Sequence, residues 1–85
     1  MNFQFSKHAE TELSLRQIPR ATVEVVLRQP QQIVPEHPPR KAYQSKVDFG
    51  DGRTFLLRVI VDDTVEPAIV VTLYRTSKIN KYWKP

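Results

Sequence analysis

Arg58 sits inside the apolar run Leu56-Leu57-Arg58-Val59-Ile60. A cation framed by aliphatic residues needs a reason to be there, either a carboxylate partner or a phosphate. A second group of chemistry-bearing residues follows. After Glu66 the chain carries Arg75, Lys78, Lys81 and Lys84 and no acid, so the whole net charge of +4 falls in residues 67–85. The simplest reading of these lysines is a solvated face, with Trp83 folded back to anchor the terminus. Yet Tyr74, Tyr82 and Trp83 are interleaved with the charge, and aromatics among cations are what nucleic-acid surfaces use to stack bases. The pattern points to an RNA or DNA partner.

Other chemistries find little footing. The sequence has no cysteine, which removes thiol chemistry and disulfides and fits a reducing cytoplasm. His8 and His37 are far apart without ligand-like spacing, so no zinc site and no cofactor is expected. No apolar run is long enough for a bilayer, and the stretch MNFQFSKHAE lacks the pattern of a secretory signal. At 85 residues the expectation is a single domain over 1–85, cytoplasmic, with one small core.

The elements that must position these residues follow from periodicity. Asn2–Phe5 alternates and can form a short strand. Ser6 is a good N-cap, and Lys7–Gln17 reads as a helix with His8, Glu12 and Arg16 along one stripe. Glu12 and Arg16 form an i,i+4 pair in the favourable order, the simplest role for Arg16. Ile18-Pro19 interrupts, and a second helix from Pro19 or Arg20 to Gln29 buries Val23, Val26 and Leu27. The two helices read as an αα-hairpin. Gln31–Val34 can be a strand before the proline-rich loop that holds His37. Lys41–Phe49 alternates, Gly50-Asp51-Gly52 supplies a hairpin turn, and Phe55–Val61 is apolar on both faces, as in a central strand. In the last strand Ile69, Val71 and Leu73 face one way and Val70, Thr72 and Tyr74 the other. The expected fold is α+β: an N-terminal two-helix hairpin packed on one face of an antiparallel three- to four-stranded sheet. Its other face is left for function, with Arg58, Thr72 and Tyr74 on it.

Taken in order, SKHAETELSLRQIPRATVEVVLRQP, YQSKVDFGDGRTFLLRVIVDD and AIVVTLYRTSKINKYW resemble the bacterial domain-of-unknown-function family 4258, which looks like a branch of the RelE/ParE-like toxin superfamily. The family pattern of a His early in helix one, an Arg before the helix break, a strand Arg and a T-x-Y-R ending falls on His8, Arg16, Arg58 and Thr72-Leu73-Tyr74-Arg75. The resemblance implies a RelE-like fold and the toxin of a toxin–antitoxin pair, with a small antitoxin protein masking its basic face. RelE-like members cut mRNA, often on the ribosome. Cleavage without metal takes the neighbouring 2′-hydroxyl as nucleophile and needs a base, an acid and cations for the phosphorane. On this reading His8 and Tyr74 transfer protons, and Arg58 and Arg75 hold the phosphate. Arg16, Lys78, Lys81 and Trp83 extend RNA binding. Two rivals are a ParE-like toxin that inhibits gyrase and a non-catalytic RNA-binding or protein-interaction module.

Overall fold

The computed structural model describes residues 2–85. Within them the order is β1 (Phe3–Phe5), α1 (Lys7–Leu15), α2 (Arg20–Arg28), β2 (Gln32–Pro35), β3 (Lys41–Asp48), β4 (Thr54–Asp62), β5 (Ala68–Thr76) and α3 (Ile79–Tyr82). The strands form one sheet in the order β1-β5-β4-β3-β2, with β4 central.

The fold is α+β, but the expected architecture needs correction. The sheet is mixed and five-stranded, because β1 runs parallel to β5 with Phe3 opposite Ala68 and Phe5 opposite Val70. Phe3-Gln4-Phe5 has no neighbour in sequence to pair with, and the free edge of β5 supplies one. A parallel partner requires a long connection, and the intervening helices and strands provide it. Nor do α1 and α2 act as a hairpin: α1 rests mainly on β5 and β1, and α2 on β4 and β3. The residues after β5 add a third helix, α3, that the periodicity did not suggest.

Ser6 is the hinge between β1 and α1. Its backbone N–H donates to Val70 O at 3.0 Å, and its Oγ accepts from the Ala9 N–H at 3.0 Å. Its hydroxyl donates to Val71 O at 2.9 Å. That carbonyl belongs to the residue skipped by a bulge, where Ile60 and Val61 on β4 face Thr72 and Val70 on β5. The extra residue resets the alternation. Val70 therefore joins Leu73 in the main core instead of sharing a face with Thr72 and Tyr74.

The main core lies between the helices and one face of the sheet. It contains Ala9, Val23, Val26 and Leu27 against Leu57, Val59, Val61 and Leu73. On the opposite face Val34, Ala42 and Ile60 form a smaller cluster beside Tyr74. Among the described residues no helix is long and apolar enough to cross a membrane.

Helix α1 ends earlier than its periodicity suggests. Gln17 adopts a φ of 52°, and the N–H groups of Gln17 and Ile18 donate to Ser14 O and Leu13 O. This left-handed cap closes the orphan carbonyls and turns the chain so that Ile18 is buried. At the start of β3 the Tyr43 hydroxyl donates to Asp63 Oδ2 at 2.9 Å, with Lys41 Nζ 3.2 Å from the same oxygen. Burial, with Asp63 adding to it, pushes the Tyr43 phenol up to about 12. Asp63 is itself raised by burial, but its donors Tyr43 and Lys41 outweigh that and hold its carboxyl below the usual value.

Two outcomes follow. Gln17→Gly removes the Cβ penalty at an exposed position and stabilises the fold by about 0.5 kcal/mol, seen as a rise of a few degrees in thermal midpoint. Asp63 contributes stability above the unfolded carboxylate value of about 4 and loses it as pH falls through its lower folded value. The thermal midpoint of Asp63→Asn is therefore less sensitive than wild type to acidification below about pH 4.

Candidate functional site

The sheet face opposite α1 and α2 carries a polar row across four strands. Gln32 on β2 lies opposite Gln44 on β3, Gln44 opposite Arg58 on β4, and Arg58 opposite Tyr74 on β5. Strand alternation puts all four on one face, because each is a direct cross-strand partner of the next.

Arg58 is 2% exposed, and each guanidinium nitrogen has a partner. Nε donates to Gln44 Oε1 at 2.8 Å, Nη1 to the Tyr74 hydroxyl oxygen at 2.6 Å, and Nη2 to Glu36 Oε2 at 2.9 Å. The Tyr82 ring centroid lies 4.2 Å from Cζ, a stacking distance for a cation on an aromatic face. Glu36 comes from the loop after β2, where its backbone N–H donates to Arg40 O, and its side chain is 36% exposed. The carboxylate thus neutralises a buried cation while reaching solvent. Of the two explanations that Arg58 invited, the carboxylate is the one present.

Tyr74 is pushed above the ordinary phenol value by burial, with the Arg58 guanidinium opposing. Tyr82 is held below it chiefly by a hydrogen bond from the Tyr74 hydroxyl; desolvation opposes, and the Lys81 charge and Arg58 add to the lowering. At neutral pH Tyr74 is therefore a protonated donor whose oxygen already accepts from Arg58.

The C-terminal residues close over this row. Gln44, fully buried, donates through Nε2 to Gln32 Oε1 at 2.8 Å and to Tyr82 O at 3.2 Å. The Gln32 side chain pairs with both main-chain groups of Lys84, accepting its N–H and donating to its carbonyl. Lys46 Nζ sits 4.2 Å from the Trp83 ring. Trp83 is thus an anchor of the terminus in this structure.

The sheet gathers Arg58, Tyr74, Trp83 and the exposed Lys81 on one side. Lys78 precedes α3 and is exposed. His8 does not join them. It is exposed in the first turn of α1, whose Ala9 packs in the core on the opposite sheet face from Tyr74. Arg16 lies on the same helical side, exposed and 2.7 Å from Glu12. Arg75 alternates with Tyr74 and pairs across the ladder with Leu57, so it points to the helix side. Its guanidinium lies 4.6 Å from the Phe49 ring and 5.0 Å from the Phe55 ring. Arg58 and Arg75 therefore do not share a phosphate site.

Sequence reasoning missed Glu36, Gln32 and Gln44 as site residues. Gln44 left a signal, since its parity in β3 places it beside a centrally stranded arginine. Glu36 left none, because it reaches the row from an irregular proline-rich loop.

The family model for a domain of unknown function (DUF4258) matches residues 5–75, and the chain belongs to that family. The matched stretch contains Glu36, Gln44, Arg58 and Tyr74. Comparison with curated proteins and with solved structures found no match.

Removing the countercharge leaves a buried cation uncompensated. Glu36→Gln destabilises the fold by about 1–3 kcal/mol in urea unfolding, the exposure of Glu36 keeping the loss below that of a fully buried pair. Combining it with Arg58→Met removes the uncompensated charge but leaves the buried Gln44 Oε1 without its donor, so only part of the loss is recovered.

Proposed function

We propose that this protein is a RelE-like toxin of a toxin–antitoxin pair that cleaves RNA in the cytoplasm, using the Glu36–Arg58–Tyr74 cluster. One observation carries the reading: a carboxylate and a phenol flank the same guanidinium, at 2.9 and 2.6 Å, on the sheet face opposite α1 and α2. Together they supply what 2′-hydroxyl attack requires, namely a proton acceptor, a cation for the developing charge and a proton donor.

Glu36 takes the proton of the 2′-hydroxyl as the 2′-oxygen attacks phosphorus. Arg58 holds the non-bridging oxygens of the phosphorane. The bond from phosphorus to the 5′-oxygen breaks, and the Tyr74 hydroxyl gives its proton to that leaving oxygen. The products are a 2′,3′-cyclic phosphate and a free 5′-hydroxyl; Glu36 then gives its proton to solvent water and the tyrosinate, next to Arg58, takes one from it, which restores both groups. Lys78 and Lys81 attract the flanking phosphates. The small antitoxin expected for a toxin masks this basic face. His8, across the sheet, has no part in the chemistry.

A second reading is a non-catalytic RNA-binding module. The Glu36–Arg58 pair favours it, since the guanidinium already has its countercharge. Cleavage assays on single-stranded RNA separate the two. For the nuclease, Glu36→Gln and Tyr74→Phe each slow cleavage by about 10²–10⁴-fold. His8→Ala leaves the rate within about twofold, as expected of a surface residue without a part in proton transfer. A substrate with sulfur in place of the leaving 5′-oxygen needs no acid and restores the Tyr74→Phe variant alone. RNA that is bound with steep salt dependence but never cut by wild type selects the module instead.

A further inference from the structure

The Arg58 cluster cannot meet RNA as it stands, because the chain's own terminus lies on it. Four separate contacts hold that terminus. Tyr82 stacks at 4.2 Å from the Arg58 Cζ. Gln44 Nε2 donates to the Tyr82 carbonyl. Gln32 binds both main-chain groups of Lys84. Lys46 caps the Trp83 ring. Two of the groups involved, Gln44 and Arg58, are almost wholly buried, and the described residues leave no buried side-chain nitrogen or oxygen without a partner. The grip is therefore a completed polar network.

We infer that the space over Arg58 now filled by the Tyr82 ring is a nucleobase subsite, and that residues 77–85 form a strap which an RNA strand displaces to reach it. The inference rests on the RNA reading above and deepens it. A flat aromatic ring on a guanidinium, with a hydroxyl beside Tyr74, reproduces what a stacked base and its leaving 5′-oxygen would present. Every base has such a face, so stacking here is tolerant of sequence. The Gln44 amide, which now donates to the Tyr82 carbonyl, offers the same donor to an acceptor on a base edge once the strap leaves. Lys78 and Lys81 travel with the strap and stay exposed, so the displaced segment keeps its charge for the RNA backbone.

The strap's grip can be loosened without touching Glu36, Arg58 or Tyr74. Gln32→Ala removes both bonds to Lys84 and, with them, the bond that Gln32 Oε1 accepts from Gln44 Nε2, which keeps the Tyr82 carbonyl as its acceptor; Lys46→Ala frees Trp83 from the other side. The probe is a 2′-O-methyl single-stranded RNA, which lacks the nucleophile and is not cut. Losing two hydrogen bonds of ordinary strength shifts the closed-to-open balance by about tenfold. Two readouts follow it: acrylamide quenching of Trp83, the single tryptophan, and phenylglyoxal labelling of Arg58 located by peptide mass spectrometry.

In wild type, Arg58 resists labelling and bound RNA raises Trp83 quenching. In Gln32→Ala, Arg58 labels about tenfold faster, RNA binds about tenfold more tightly, and bound RNA protects Arg58. Lys46→Ala moves in the same direction, which guards against a folding defect peculiar to one variant. The inference is overturned alone if RNA binds and wild type cuts it, yet Trp83 quenching is unchanged by RNA or Arg58 labels equally in all proteins. If none of the proteins binds the RNA, the subsite and the RNA reading fall together.

Discussion

A guanidinium buried in the middle strand of the sheet sets the terms for everything around it. Taking an ion out of water costs several kcal/mol even after relaxation, and the cost is met only when charge and hydrogen bonds are both supplied. Arg58 receives a carboxylate from the β2–β3 loop, an amide from β3 and a phenol from β5. It therefore ties three regions that are remote in sequence. The loop after β2 is held over the sheet by Glu36, and the terminus is held by Gln44, whose amide touches both Arg58 and Tyr82. Loss of any one partner is felt by the others, as expected for a connected polar network at low dielectric.

The two faces of the sheet have divided their tasks. The face under α1 and α2 is dry and aliphatic, built from Leu57, Val59, Val61 and Leu73. It supplies the burial that stabilises the fold. The other face has a smaller apolar share, Val34, Ala42 and Ile60 with the buried Leu56 further along β4, and the polar row lies beside them. This division explains why residues adjacent in the chain end up apart. Tyr74 and Arg75 are neighbours, but strand alternation sends one to the polar row and the other to the Phe49 and Phe55 rings. The bulge at Val71 protects that division: it brings Val70 into the core without disturbing the pairing of Arg58 with Tyr74.

On the proposed reading, Glu36 has two tasks. As counter-ion it makes a buried arginine tolerable; as base it must release that interaction partly when RNA arrives. A phosphate in contact with Arg58 takes over the countercharge, so the carboxylate is freed to meet the 2′-hydroxyl. The half-exposed position of Glu36 suits both tasks, because a fully buried carboxylate would have no route to the 2′-hydroxyl. Stability and chemistry thus draw on the same contact, a common tension at sites of this kind.

Local chemistry was enough to reveal several elements. Ser6 announced the start of α1, Pro19 the start of α2, the Val23, Val26 and Leu27 spacing its buried face, and Gly50-Asp51-Gly52 the β3–β4 turn. Leu56-Leu57-Arg58-Val59-Ile60 also showed a central strand holding a cation in want of a partner. All of these rest on interactions within a few residues, or on alternation along one strand. What lay beyond reach depended on contacts across the chain. The parallel pairing of β1 with β5 rests on an edge 65 residues away in sequence, where Ser6 also bonds Val71. The one-residue bulge reverses parity without altering composition. Glu36 enters from a loop without periodicity, and the terminus folds over the polar row because Gln32 and Gln44 happen to face it. The sequence by itself determined that Arg58 would be buried and would need a partner. Only the tertiary structure decided that this partner is Glu36, that Tyr74 rather than Arg75 stands beside it, and that Tyr82 lies on top.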